Sequence, residues 1–213
     1  ILGYLSLYSS TNLSKFGSDL FINRLEENCR ALDSSLTYVD VDVKIQKRLV
    51  PELNKKRNYL IKFNTVIQNT IHDSDDGVSG TPAVESTSFA YKKSDGTIFL
   101  AAIDSDMDGN LRIYETIEGE RKTIFSNIGK VDFRDGSFTL NDFSPLSATR
   151  DGTIRFNVTP KEDVVRTVTN NILQYDPTDD DAIKVRYVSG ESVASQVTVS
   201  TPIGSGSSSS SSS

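Results

Sequence analysis

The stretch Ile128–Phe143, IGKVDFRDGSFTLNDF, decides the fold. Apolar and polar residues alternate on both sides of Asp135-Gly136, with Val131 and Phe133 before the pair and Phe138 and Leu140 after it. Asp-Gly is a strong turn signal, because both residues tolerate the positive φ that tight hairpin turns require. A two-residue loop at this point sets Phe133 opposite Phe138 and Val131 opposite Leu140. Apolar side chains then meet across the strands, as a stable register needs. The stretch reads as an antiparallel hairpin.

The same dipeptide recurs at Asp76-Gly77, Asp95-Gly96, Asp108-Gly109 and Asp151-Gly152. A two-residue loop at Asp95-Gly96 places Tyr91 opposite Leu100 and Phe89 opposite Ala102. Asp151-Gly152 leads into Ile154, Phe156 and Val158, a strand that stops at Pro160. The register test fails at Asp108-Gly109, where a tight turn would set Ile113 against Asp104 and Leu111 against Asp106. The loop there is expected to be longer. Ile98–Ile103 and Leu111–Ile117 on either side of it read as strands.

Upstream, Phe21, Leu25, Cys29 and Leu32 recur at helical spacing, which predicts an amphipathic helix from Ser18 to Leu32, capped by Ser18. The polar stretch before it, Ser6 to Gly17, reads as an irregular arm that docks on a partner. The period then changes to 2: Thr37, Val39, Val41, Val43 and Ile45 alternate with Tyr38, Asp40, Asp42, Lys44 and Gln46, a strand with one wet face. Tyr59, Ile61, Phe63 and Thr65 repeat the pattern, and the two strands are placed to pair through a loop holding Pro51 and Asn54. Gln68 to Val84 reads as a long loop. Val164, Val165, Val168, Ile172 and Leu173 sit at helical spacing, although their β-branching opposes a helix. Asp176 to Asp181 reads as an acidic turn, Ile183–Val188 as a strand, and Gly204–Ser213 as a flexible tail. The expected fold is α+β, mostly antiparallel β hairpins with one N-terminal amphipathic helix. The expected divisions are 1–36, an arm and helix docking on partner subunits; 37–160, an antiparallel β domain; 161–203, a β or irregular segment; and 204–213, the tail.

Composition narrows the function. The 213 residues carry a net charge of −6 with no long basic run, which argues against a nucleic-acid footprint. No stretch approaches the roughly 20 apolar residues of a bilayer-spanning helix. Cys29 is the single cysteine, so no intrachain disulfide forms and a four-ligand zinc site is excluded with His72 as the only histidine. A buried, structural Cys29 thiol and a reducing compartment are expected. The opening ILGYLSLYSS lacks a basic region and a cleavage pattern, so it reads as a poor signal peptide, and the lack of an initiator Met is read as an internal or C-terminal piece of a longer chain.

One motif matches a metal template. Asp104–Glu115, DSDMDGNLRIYE, fits the twelve-residue calcium loop, with Asp104, Asp106, Asp108 and Glu115 as carboxylate ligands, Gly109 at the turn and Asn110 giving a carbonyl. The flanks read as strands where an EF-hand needs helices, and no second copy exists, so a solvated hairpin loop is the expected reading. A calcium-stabilised adhesin or fibre module remains the alternative. His72-Asp73 lies in a polar loop without a placed nucleophile. Asp40 and Asp42 share a strand face, and a solvated face explains them better than a glycosidase pair. Lys44, Lys47, Arg48, Lys55, Lys56 and Arg57 form a basic stretch read as a solvated face or as salt bridges to a partner subunit. No enzyme activity, cofactor or metal ligand is expected.

Three segments in order carry a resemblance. They are Ser6–Leu36, SLYSSTNLSKFGSDLFINRLEENCRALDSSL; Val41–Asn54, VDVKIQKRLVPELN; and Ile128–Pro145, IGKVDFRDGSFTLNDFSP, followed by Ile154–Pro160 and Asn170-Asn171-Ile172-Leu173. Over about Leu5 to Val188 the chain resembles the C-terminal half of the baseplate wedge subunit of T4-like contractile-tailed phages, a baseplate J-like family. The resemblance implies a structural virion protein that self-associates as dimers and joins wedges into a ring around the tail hub. Its implied partners are other copies of itself and other wedge, hub and sheath-initiator proteins, with no nucleic acid and no membrane. The implied location is the tail baseplate, assembled in the host cytoplasm. No catalytic residues come with the family. The Asp104–Glu115 loop and the Ser-rich end lie outside its pattern.

Overall fold

A computed structural model describes residues 2–15, 17–39, 41, 43–69, 81–162, 164–165 and 173. The chain divides into two units, Gly3–Tyr175 and Asp176–Ser213, and the fold below is that of the first. It is β-rich, with short helices near the N-terminus. Asp40, Asp42, His72, Asp73, Asp76-Gly77, the acidic turn at 176–181, the strand expected at 183–188 and the tail at 204–213 all lie outside the described residues.

The arm is not irregular. Leu2–Tyr8 forms α1, and Ser9–Leu13 continues it as a π-helical turn. The wider turn has a local cause: the Ser10 and Thr11 hydroxyls both donate to the Leu7 carbonyl, at 2.9 and 2.7 Å, and Ser14 N reaches Ser9 O at 3.1 Å. Leu20–Phe21 forms β1, and α2 spans Ile22–Ala31. This helix starts four residues later than its apolar spacing predicts, because Leu20 and Phe21 are drawn into a ladder with Val165 and Val164. Phe21, not Ser18, therefore occupies the cap position, without a side-chain cap. The buried face of α2 is Ile22, Leu25 and Cys29, as the spacing indicates.

The remaining strands are β2 (Ile45–Leu49), β3 (Arg57–Lys62), β4 (Val84–Ser86), β5 (Phe89–Lys92), β6 (Ile98–Ser105), β7 (Asn110–Ile117), β8 (Glu120–Asp132), β9 (Ser137–Phe143), β10 (Ile154–Val158) and β11 (Val164–Val165). All but β1 and β11 form one antiparallel sheet of order β2-β10-β4-β6-β7-β8-β9-β3, with β5 also paired to β6. The sheet curls around its own core. Phe138 of β9 and Phe156 of β10 lie five strands apart in that order, yet their rings stand 5.0 Å apart. Ile67, beyond β3, bridges Pro160, beyond β10, flanked by Gln68 N to Thr159 O and Lys161 N to Val66 O at 2.9 Å each. β2 and β3 supply Ile45, Leu49 and Ile61 to the same core but do not pair, contrary to the expectation from their patterns. Among the described residues of 37–44, none is in a strand. Val39, Val41 and Val43 instead pack on a second, smaller cluster built from Leu13, Leu20, Leu25, Cys29 and Val165. Val164 and Val165, placed in a possible helix by spacing, are extended, as their β-branching favours.

The Asp-Gly loops correct two registers. At Asp95-Gly96 the observed pairs are Phe89 with Ala101 and Tyr91 with Phe99, one residue off the tight-turn register. The loop has three central residues: Lys93 N bonds Thr97 O, Gly96 N bonds Lys93 O, and Gly96 has φ +92°. This is a turn followed by a left-handed glycine bulge. The extra residue turns Leu100 and Ile98 outward, leaving them 69% and 64% exposed. Asp106–Asn110 and Thr149–Thr153 close in the same way, around Gly109 and Gly152. At Asp135-Gly136 the loop takes four residues and Val131 faces Phe138 instead of Leu140. Asp132 Oδ1 holds this loop by accepting the Arg134 and Asp135 N–H groups. A shift of two keeps every side chain on its expected face, so Val131, Phe138 and Leu140 are all buried.

Candidate functional site

One row of polar residues crosses five strands of the sheet. Gln46 pairs with Asn157, Asn157 with Glu85, Glu85 with Asp104, and Asp104 with Arg112, so one register line crosses β2, β10, β4, β6 and β7. Directly opposed residues share a face. The neighbours of Asp104 along β6, Ile103 and Ser105, point to the core side, so the row lies on the outer face.

Asp104 is the centre of the row and is 1% exposed. Arg112 grips it with both ends of its fork, Nε to Oδ1 at 2.9 Å and Nη2 to Oδ2 at 3.0 Å. Arg121 comes from β8, donating to Asp104 Oδ2 at 3.3 Å and to Glu85 Oε1 at 2.9 Å. Its guanidinium lies over the Tyr114 ring, 4.9 Å from the centroid. Lys44 reaches Glu85 Oε2 at 3.5 Å, and Gln46 Nε2 donates to Asn157 Oδ1 at 3.1 Å. Both Asp104 oxygens are thus committed to guanidinium donors, and Glu85 has a cation on each oxygen. The row ties five strands and the β8 ribbon together across their outer face.

Within Asp104–Glu115, three of the four template acids have partners inside the chain. Asp104 faces the arginines. Asp106 Oδ1 accepts the N–H groups of Asp108 and Asn110 at 3.0 and 2.7 Å, and its Oδ2 accepts Asn110 Nδ2 at 3.0 Å. Burial pushes the Asp106 carboxyl up, but these hydrogen bonds outweigh it and leave the group below its ordinary value. Glu115 is ion-paired with Lys93, and Lys93 also lies over the Phe99 ring. Asp104, Asp106 and Glu115 therefore engage separate partners, and among the described residues no group of three acids, cysteines or histidines is placed to hold a metal.

Within the basic stretch, Lys55 and Arg57 pair with Glu52, and Lys44 with Glu85. Lys47 is placed differently. It stands opposite Phe156, which is fully buried, and so lies on the core side of β2. Burial pulls its ammonium below the ordinary lysine value. Cys29 is 1% exposed, and burial pushes its thiol up.

Sequence reasoning missed the row itself, the long strand β8 and the turn that opens it. Ile117 faces Glu120 across Glu118-Gly119, with φ of 54° and 87°. This is the two-residue hairpin loop with positive φ at both centres. The signal for the row was available in Asp104 and Arg112, a charged pair inside otherwise apolar alternation, but no local rule gives the long-range register that sets them opposite.

No family model and no curated protein matches the chain.

Proposed function

We propose that this chain is a structural assembly subunit of the baseplate-wedge type. In this reading it self-associates as dimers, links wedges into a ring around the hub of a contractile tail, and contacts other wedge, hub and sheath-initiator proteins. It acts by packing, not by catalysis. The observation that carries the reading is the division of the apolar interior in two. One cluster fills the curled sheet, and a smaller one, which meets it at Ile45, lies among α1, α2, Val39, Val41 and Val43. The smaller cluster leaves Leu7, Phe21, Leu32 and Tyr38 exposed at 61%, 37%, 47% and 74%. A rigid β body with a small, apolar-studded helical module fits a subunit held by neighbours through that module. The engagement of the polar row by its own arginines also supports a structural role, because its carboxylates are occupied in holding strands.

The reading is tested by sedimentation and negative-stain microscopy of the whole chain over a wide concentration range. Dimers that grow into closed rings are expected. A chain that stays monomeric throughout contradicts the proposal.

A further inference from the structure

An Asp-Gly pair can do more than turn the chain, because its peptide bond can close on the aspartate side chain. The glycine amide nitrogen attacks Cγ of the protonated carboxyl, and an N–Cγ bond forms. The Cγ–OH bond breaks, and the hydroxyl leaves as water with the amide proton. Water then reopens this succinimide at its Cα-side carbonyl, and the chain runs on through the side chain as isoaspartate. The sum is an isomerisation that needs only water. It requires a carboxyl free to swing toward the next amide, and glycine, with no β-carbon, leaves that approach open.

Four pairs lie among the described residues, and their carboxylates are not equally free. Asp95 Oδ1 accepts the Thr97 N–H at 2.8 Å. Asp151 accepts the Thr153 N–H at 3.1 Å, the Thr149 and Thr153 hydroxyls, and Arg155 Nη2. Hydrogen bonds hold both carboxyls below their ordinary values, which keeps them ionised and slow to leave as water. Asp135 Oδ2 accepts the Ser137 hydroxyl at 3.4 Å. The glycine after it is walled in by backbone, with Phe63 N on the Gly136 carbonyl at 2.7 Å and the Thr65 carbonyl where a β-carbon would sit. Asp108 differs. Its N–H donates to Asp106 Oδ1, but its exposed carboxylate has no hydrogen bond or ion pair to any described residue. Beside Gly109 the nearest obstacle is the edge of the Phe133 ring, a side chain that can turn.

We propose that Asp108-Gly109 is a site of isoaspartate formation, and that the backbone carbon gained there releases the β6–β7 loop from β8. The tie that is lost is Val131 N to Gly109 O, 2.8 Å in the unmodified chain. A longer path between Asp108 and Gly109 moves that carbonyl off its donor. The inference stands independently of the baseplate-type reading.

The test ages the full chain in mildly acid buffer, native and in guanidinium, and locates isoaspartate by peptide mapping with electron-transfer fragmentation. In the native chain Asp108 is expected to convert at least about fivefold faster than Asp95, Asp135 or Asp151, the factor set by one hydrogen bond that must first break. In guanidinium the four rates are expected to converge. Asp108→Glu, whose longer side chain closes the ring far more slowly, is expected to remove the signal and keep the fold. Amide exchange at Val131 should quicken in the aged native chain and not in aged Asp108→Glu. Equal rates at the four pairs in the native chain overturn the proposal. So does faster conversion at any of the other three, or the native ranking retained in guanidinium. Val131 exchange that stays unchanged once Asp108 has converted overturns the release of the loop.

Discussion

At Gly136 the Thr65 carbonyl oxygen lies 1.7 Å from where a β-carbon would sit, and φ is +62°. The segment after β3 crosses over the β8–β9 loop here, with Phe63 N bonded to Gly136 O at 2.7 Å. Gly136→Ala therefore combines left-handed strain with a backbone clash, and a loss on the order of 2–4 kcal/mol is expected, read as a melting temperature lower by about 10 °C. Asp104 supports an asymmetric prediction. Removing Arg112 and Arg121 together leaves a buried carboxylate unpaired, at about 3–5 kcal/mol. Asp104→Asn leaves two partly exposed guanidinium groups that water can reach, at about 1–2 kcal/mol. Denaturant melts of both variants check the order, and equal losses contradict it. Asp151 gives a pH signature. Hydrogen bonds from the Thr149 and Thr153 hydroxyls and the Thr153 N–H hold its carboxyl well below the ordinary range. A depressed carboxylate stabilises above its unfolded value, about pH 4, and that contribution is lost as pH falls through the folded value. The melting temperature of the native chain should thus fall more steeply below about pH 4 than that of Thr149→Val. At this scale the Asp-Gly pairs at 95, 108, 135 and 151 were legible as turns. Which aspartates cap a loop and which are buried against arginine was not, because that depends on neighbours distant in sequence.

Elements were legible where the period was long and the partner local. Ile98–Ser105, Asn110–Ile117, Ser137–Phe143 and Ile154–Val158 form close to where alternation places them. Registers slipped by one or two residues because loop length, not the dipeptide, sets pairing. The Thr37–Gln46 alternation misled for another reason: its valines serve the helical module, and the strand begins at Ile45. β8 escaped notice because its exposed half, Glu120–Thr123, is polar on both faces and is held by the Glu118-Gly119 turn. Glu118 pays for φ 54° with strain that asparagine largely avoids. Glu118→Asn is expected to raise stability by about 0.5–1 kcal/mol, measured by thermal melting. Cys29 reports on the helical module. Its buried, proton-retaining thiol should resist a water-soluble thiol reagent in the folded chain and react when that module opens, at a denaturant concentration below the main transition. Immediate labelling in native buffer contradicts the packing described.

For the molecule as a whole, the class of fold was readable from hairpin signals, whereas closure of the curl was not. The Ile67–Pro160 bridge and the Phe138–Phe156 contact join segments whose sequences carry no mutual signal. Two apolar clusters, one inside the sheet and one among the N-terminal helices, underlie the proposal that the sheet stands by itself while the helical module meets neighbours. Deleting residues 1–32 tests this most directly, with far-ultraviolet circular dichroism, a thermal melt and native mass measured on the deleted and whole chains side by side. The account predicts that the deleted chain keeps its β spectrum and a cooperative melt but remains a monomer where the whole chain associates. A deleted chain that still assembles, or one that loses its sheet, would contradict it.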